Sequence, residues 1–412
     1  MKTSCDALID IGELPILSEL AGDEFGDDPA VAYHAAHSQS GPGIFRMPND
    51  DGVVVTAYDT LSALMVHPDL GAQNRRVRRS GAGEWGALAS LDSNSPFFMD
   101  DPLHTPMAAA VYRPMSPARQ NILVKTITEI AHEAMDRLLE RRAGDLVGDY
   151  ARVIAEVFWV RFLGLPMEQT PVLRECSAAV VPMLQFQCTS AQIDAANESA
   201  MTLMRCLNQH YQTIKGCPGE TFLHLLTSAV EICELSNAPT DAAAVAAALT
   251  FDGIDSVAAA TANVLFTCLS HPSQCALVRQ DPSLVRAAWR EAIRVEPSVL
   301  GLQRSPRQDV LHAGVRIPAD VNVLMLWAAG NRDPRCFDAP DDFVIDRPQE
   351  KILSFGGGGR ICKGRHLAML QGQIALAVLL ERTQSVELLV DKPTWSSPGM
   401  LRAIQSMPVQ LK

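Results

Sequence analysis

The sequence lacks most of the features that would give a chain of 412 residues an easy assignment. Its 10 cysteines show no Cys-x-x-Cys spacing, which argues against a zinc site and a secreted disulfide framework and leaves reduced, cytosolic thiols as the expectation. Positive charge is in deficit. With 35 Lys and Arg against 47 Asp and Glu, and a net charge of −12, nothing draws the chain generally to nucleic acid or to an anionic membrane. The N-terminus has no uninterrupted apolar run, because Asp6, Asp10 and Glu13 break it, so neither signal peptide nor anchor is expected. No internal repeat, low-complexity linker or block of like charge splits the chain.

What the chain does carry is helical periodicity. Glycine, proline and aspartate crowd the region before Gly52 to Ala57, which reads as a short strand. Apolar residues then recur at helical spacing through Asn121 to Arg142 and Gly144 to Leu163, the second run stopped by Pro166. Thr170 to Leu184, Ala191 to Ile214, Thr221 to Leu235 and Pro282 to Val295 read the same way. Pro239-Thr240-Asp241 is a start signal, with Thr240 as N-cap, for a long alanine-rich helix reaching His271-Pro272. Its nearly all-apolar surface sends it through the middle of the molecule. Beyond Pro297, strand-like pieces at Leu300 to Arg304, Gly314 to Ile317 and Asn322 to Trp327 precede a polar meander, Asn331 to Arg347. Val386 to Leu389 and Leu401 to Val409 return to short strands. The expected fold class is mainly α with small β-sheets, in a single domain over 1–412. Within it, a β-rich N-terminal portion runs to about residue 60, a helical core spans about 61–296, and a meander with a cysteine loop spans about 328–366.

The most informative stretch is that loop, Phe355-Gly356-Gly357-Gly358-Gly359-Arg360-Ile361-Cys362-Lys363-Gly364, which sits ahead of a helix-forming run to Leu380. A phosphate loop needs Ser or Thr after its lysine, and Lys363 is followed by Gly364. A glycine-rich turn around a structural cysteine is the plainer alternative. The ordered pattern Phe-Gly-x-Gly-x-Arg-x-Cys-x-Gly fits a haem-thiolate ligand loop, in which thiolate donates electron density to iron. Glycines let the backbone approach a porphyrin, and a helix N-terminus beside the sulfur stabilises the anion. Glu291-Ala292-Ile293-Arg294 places a carboxylate and a guanidinium on one helical face, and Arg347 is the candidate third member of a buried Glu-Arg-Arg cluster. Two solvated ion pairs are the alternative.

Taken in order, these motifs resemble those of a bacterial soluble cytochrome P450, a haem-thiolate monooxygenase. Asp101-Pro102-Leu103-His104-Thr105 resembles the start of the family's helix C, and Asp252-Gly253-Ile254-Asp255-Ser256 the oxygen-activation segment of its helix I. Glu291-x-x-Arg294 is similar to its helix K, Asn331 to Pro334 and Phe343 to Pro348 to its meander, and the Cys362 loop to its ligand loop. The resemblance covers essentially the whole chain and implies the family's triangular helical prism. It implies haem b with Cys362 as proximal iron ligand, Phe355, Gly356 and Gly364 in the cofactor loop, and His104, Arg304 and Arg360 at the propionates. It further implies a cytoplasmic, monomeric enzyme that inserts one oxygen atom from O₂ into a small organic molecule, such as a secondary-metabolite scaffold. Electrons would come from NAD(P)H through a ferredoxin or flavodoxin and its reductase. Oxidative coupling or ring formation without oxygen insertion, and haem binding without turnover, are the alternatives.

Departures from the family pattern add further expectations. Asp252 stands where the family has alanine or glycine, four residues before Ser256 on the same face, and is a candidate to recognise substrate or alter a proton relay. A passive carboxylate is the alternative. Asp255 and Ser256 supply the acid and hydroxyl of that relay beside a helical turn that Gly253 weakens. Serine replaces the usual threonine and loses the methyl that restrains its rotamer; back-bonding within the helix is its structural alternative. The run His104 to Val111 lacks arginines that the family carries near Pro106, Ala108 and Ala109. Ferredoxin docking should then be weaker or differently placed, with Lys363, Arg365, Arg113 and Arg119 in compensation. Pocket candidates are Leu249 with Ala248, Val299, Leu300, Met400 and Leu401, together with Trp85 to Phe98 and Met183 to Phe186. All are equally readable as core, and their apolar bodies suit a medium-sized, mainly apolar substrate.

Overall fold

The structure is a computed structural model that describes residues 8–18, 28–47, 52–72, 86–185, 188–214, 219–226, 241–348, 351–396 and 399–412. Its helices in chain order are α1 (Pro29–Ser38), α2 (Tyr58–Met65), α3 (Gly86–Asn94), α4 (His104–Met115), α5 (Gln120–Arg141), α6 (Arg152–Leu163) and α7 (Thr170–Val180). They continue as α8 (Ser190–Ile214), α9 (Ala242–Leu269), α10 (Pro272–Gln280), α11 (Val285–Val295), α12 (Trp327–Gly330) and α13 (Arg365–Arg382). The strands are β1 (Ile9–Asp10), β2 (Ile44–Arg46), β3 (Val53–Val55), β4 (Leu70–Gly71), β5 (Ala143–Asp145) and β6 (Leu302–Pro306). After them come β7 (Val310–His312), β8 (Val315–Ile317), β9 (Val323–Met325), β10 (Val386–Leu388) and β11 (Pro408–Leu411). The chain forms two compact units: Met1–Gly81, Val299–Asp342 and Glu350–Ile361 make one, and Ala82–Ser298, Phe343–Gln349 and Cys362–Lys412 the other.

The first unit is built on a five-stranded sheet in the order β2-β3-β9-β6-β4 and a three-stranded sheet in the order β1-β8-β7. β3 is all valine and wholly buried, the continuous apolar run of a strand covered on both faces, and it pairs in parallel with β9. Leu61 and Leu64 from α2 pack with Val53, Val55, Val323 and Trp327 in its core. The expected β-rich start therefore also carries two helices. Asp28 caps α1 by accepting from the Ala30 amide at 3.0 Å, and Pro29 at the first helical position has its φ already set. Asn331 anchors the start of the glycine loop, donating to Ser354 Oγ at 2.8 Å and accepting from the Leu353 amide at 2.8 Å.

The second unit is arranged around α9, which packs against α3, α6, α8, α11 and α13. Asp241 is the cap that starts α9, its carboxylate accepting from the Ala243 amide at 2.8 Å. Thr240, expected in that role, lies outside the described residues, as do Trp85, Phe186 and residues 227–235 of the expected helix to Leu235. By length and composition α9 could cross a membrane, but 67% of its most apolar window is buried, and it is a core helix. It runs unbroken from Ala242 to Leu269, so the weakened turn expected at Gly253 is absent. Gly253 serves close packing instead: a Cβ there would lie 2.2 Å from Cζ2 of Trp159 on α6.

Gly144 to Leu163 does not form one helix. Residues 143–145 pair with β11, and the Asp145 carboxylate accepts from the amides of Val147 (2.8 Å) and Met407 (2.9 Å) and from Ser406 Oγ (2.7 Å). Those bonds hold the chain extended until a wide helical turn, Leu146–Ala151, feeds α6. α7 likewise stops at Val180 and tightens through Val181–Leu184, where Pro182 has no amide to continue the ladder. Of the strand expected over Leu401 to Val409, only an isolated Trp395–Ile404 bridge and the start of β11 form.

Candidate functional site

Two glycines of the cysteine loop take the left-handed conformation that favours glycine, Gly356 at φ +68° and Gly358 at φ +63°. Gly364 does not need it; at φ −82° it is the N-cap of α13. The Cys362 sulfur thus precedes a helix start, and the amides of Gly364 and Arg365 donate to it. Burial pushes the thiol above its ordinary range and the Asp252 carboxylate adds to the rise, while those two amides and the Arg365 guanidinium pull the other way. Solvent nevertheless reaches Cys362. A residue crowded by protein at longer range yet accessible at contact range is part of a concave wall.

α9 carries a second accessible surface in the same unit. Leu249, Asp252, Ser256 and Ala260, spaced three and four apart, keep some exposure, as do Phe251 and Gly253 beside Asp252, while Thr250, Ile254, Asp255, Val257, Ala258 and Ala259 are buried. Ser256 Oγ donates to the Asp252 carbonyl at 2.6 Å, the back-bond within its own helix, and Ser298 Oγ donates to the Ser256 carbonyl at 2.9 Å. Asp255 is not brought beside Ser256. Neighbours on a helix are about 100° apart, and Asp255 faces α6 and α7, accepting from Arg152 Nη1 at 2.9 Å and from Ser177 Oγ.

Behind it lie residues the sequence did not single out. Glu156 on α6 is fully buried and accepts from Arg174 Nε at 2.8 Å and Nη2 at 2.6 Å. Arg152 and Glu156 are one turn apart, and that spacing was the only trace available, because it carries no hint of Asp255 or Arg174.

The Glu291 cluster assembles within the second unit. Arg294 donates to both carboxylate oxygens of Glu291 at 2.8 Å, Arg347 Nε donates to Oε1 at 3.0 Å, and the Val344 amide adds a bond at 3.2 Å. Glu291 and Arg294 are buried and Arg347 nearly so, which joins α11 to the segment Phe343–Gln349. His104 is the buried first residue of α4.

In the first unit, Arg304 lines a small crevice with Met65, Met325, Trp327, Gly356 and Gly357. Phe355 and Arg360 are partly exposed on the same loop. Of the pocket candidates, Leu249, Val299 and Met400 keep some exposure, whereas Leu300 and Leu401 are buried. The Met400 amide donates to the Leu184 carbonyl at 2.7 Å, so two expected walls meet. Arg365 lies over the Tyr112 ring and Arg113 is exposed, but Arg119 is engaged with Glu220.

The family described as Cytochrome P450 matches residues 179–405. A relative named biotin biosynthesis cytochrome P450, from Bacillus subtilis (strain 168), is 25% identical over 399 residues, which is 96% of this chain and 99% of that protein. Cytochrome P450 monooxygenase PikC of Streptomyces venezuelae is 27% identical over 414 residues, 99% of this chain and 95% of that one. Among solved structures, P450BioI in complex with hexadec-9Z-enoic acid ligated acyl carrier protein superposes with a TM-score of 0.85 at 24% identity, covering 95% of this chain and all of that one. CalO2 does so with a TM-score of 0.85 at 26% identity, covering 95% and 98%.

Proposed function

Because the chain belongs to the cytochrome P450 family, matched over more than half its length, we propose that it is a haem-thiolate oxidase that hydroxylates a small, mainly apolar molecule of secondary metabolism. The observation that carries this reading is the accessible Cys362 thiol with two backbone donors at a helix start, in one unit with the accessible stripe on α9. These residues fit haem. Cys362 would hold the iron, Phe355, Gly356 and Gly364 would belong to the cradle, and His104, Arg304 and Arg360 would meet the propionates. When bound, a thiolate-ligated haem b supplies O₂ activation and O–O cleavage.

The chain's own residues do the rest. The amides of Gly364 and Arg365 stabilise negative charge on the Cys362 sulfur. The Ser256 hydroxyl donates a hydrogen bond to the Asp252 carbonyl, leaving its oxygen lone pairs to accept on the accessible stripe. Leu249, Val299 and Met400 offer apolar contact, and Asp252 is the group to recognise a donor or cation on the substrate. Electrons would arrive from NAD(P)H through a ferredoxin or flavodoxin and its reductase, with exposed Arg113 and neighbouring Lys363 and Arg365 supplying local positive charge for docking. We place the enzyme in the cytoplasm as a monomer.

A reduced, CO-bound spectrum tests the ligand: the thiolate signature is expected, and it should disappear in Cys362→His. A spectral-shift screen of natural products on the ferric protein, followed by product analysis under ¹⁸O₂, tests the reaction. One labelled oxygen in the product is expected, and unlabelled coupled or cyclised product would replace hydroxylation with oxidative bond formation.

A further inference from the structure

Two histidines away from the cysteine loop and the α9 stripe each bury a ring nitrogen that bonds to nothing. His210, near the end of α8, and His224, in the helical turn 222–226, both bury Nε2 without a hydrogen-bond partner among the described residues. Each ring is held from its other side. His210 donates to the Gly164 carbonyl, and because its Nε2 is unpartnered the donor is Nδ1, which leaves a lone pair on Nε2. His224 Nδ1 lies 2.7 Å from Thr221 Oγ1, and with the proton on Nδ1 its Nε2 carries a lone pair as well. Gly164 ties the two together. It ends α6 in the left-handed conformation at φ +80°, and a Cβ on it would lie 2.5 Å from Thr221 Cγ2. The residue that orients one imidazole therefore seats the hydroxyl that orients the other.

We propose that His210 and His224 bind a divalent transition metal through their two Nε2 atoms. Histidine serves as a ligand when its other ring nitrogen is committed to a carbonyl or hydroxyl, since that bond fixes both the tautomer and the ring. Burial lowers the pKa of His210, and His224 lies near enough to add to the fall against the pull of the Gly164 carbonyl, so the ring is neutral and able to ligate at neutral pH. Imidazole suits Zn²⁺, Ni²⁺ and Cu²⁺, whereas Mg²⁺ and Ca²⁺ seek oxygen. Among the described residues no third His, Cys, Asp or Glu joins the pair, and Cys206, one turn before His210, is turned to Gln169 Oε1 at 3.4 Å. Water therefore fills the remaining positions, and the ion is exchangeable. It clamps the ends of α6 and α8 to residues 221–226, and α8 in turn packs on α7 and α9. The site takes nothing from the oxidase reading.

The test is equilibrium dialysis of the untagged, haem-loaded full chain against Ni²⁺, whose preference for nitrogen leaves the thiols aside, together with unfolding followed with and without the ion. One Ni²⁺ per chain is expected, and free metal at about a hundred times its Kd should lower the unfolding equilibrium constant about a hundredfold. His210→Gln and His224→Gln should each abolish that equivalent and the stabilisation with it. Thr221→Val keeps a methyl against Gly164 but loses the hydroxyl, and should weaken Ni²⁺ binding about 10–100-fold. A chain that takes up no Ni²⁺, or one whose bound equivalent and stabilisation persist in both glutamine variants, overturns the proposal. If the glutamine variants do not fold, Thr221→Val decides: weakened binding supports the site and undiminished affinity overturns it.

Discussion

Trp159 makes Gly253 irreplaceable for a reason local to one pair of side chains. Gly253→Ala would drive a methyl into the indole ring and should lower stability by about 1–3 kcal/mol, measured by denaturant unfolding. Trp159→Leu in the same chain should restore part of that loss, whereas a purely conformational role for the glycine predicts no rescue. Asp252 is the charged residue on the accessible stripe of α9. Asp252→Ala should weaken binding of amine-bearing ligands about tenfold or more and leave neutral analogues nearly unchanged, read from ferric spectral titrations. Equal affinities for both ligand sets would make it a bystander. Glu291, Arg294 and Arg347 were legible as types at a spacing, since carboxylate pairing demands those atoms, and Cys362 was legible as a cysteine in a glycine loop ahead of a helix. Arg152, Glu156, Arg174 and Trp159 were not, because each acts across a helix packing that local periodicity does not encode.

The long helix α9 could be read from composition alone, since only a fully enclosed helix tolerates apolar residues on all sides. Its start was displaced by one residue, and the physics favours the carboxylate that reaches an amide. Asp241→Ala should cost about 1 kcal/mol of stability, measurable as a lowered unfolding midpoint, while Asp241→Asn should retain most of it. β5 escaped notice for a comparable reason. Asp145 gathers three donors, two of them from the far end of the chain, and those partners outweigh the helical preference of the residues around it. α1 and α2 are only 10 and 8 residues long, too short for apolar spacing to declare a helical period, even though their packing is secure.

For the molecule as a whole, acid should act in two steps through the first unit. Burial lowers the pKa of His37, outweighing the pull of Asp333. The unfolded chain therefore binds a proton there first, and stability is lost as pH falls through the ordinary histidine value near about 6.5 towards the lowered folded value. Asp333 is buried and Asp341 partly desolvated, which pushes both up, but Arg335 with the Tyr58 amide, and His34 with Arg332, hold both below the usual carboxylate range. Their contribution stands above the unfolded value near about 3.9 and disappears below it. Unfolding midpoints followed from pH 8 to pH 3, on the order of ten points, should show both declines, and His37→Phe should shrink the upper one, with His312, also lowered by burial, carrying part of what remains.

The parallel pairing of β3 with β9 also orders events in time. Ribosomal synthesis delivers β2 and β3 as a finished hairpin long before Val323 exists, so an all-valine edge must wait unpaired while the whole helical stretch between them is made. Yield in a foreign host should then depend less on the stability of the finished enzyme than on whether something shields that edge during the interval.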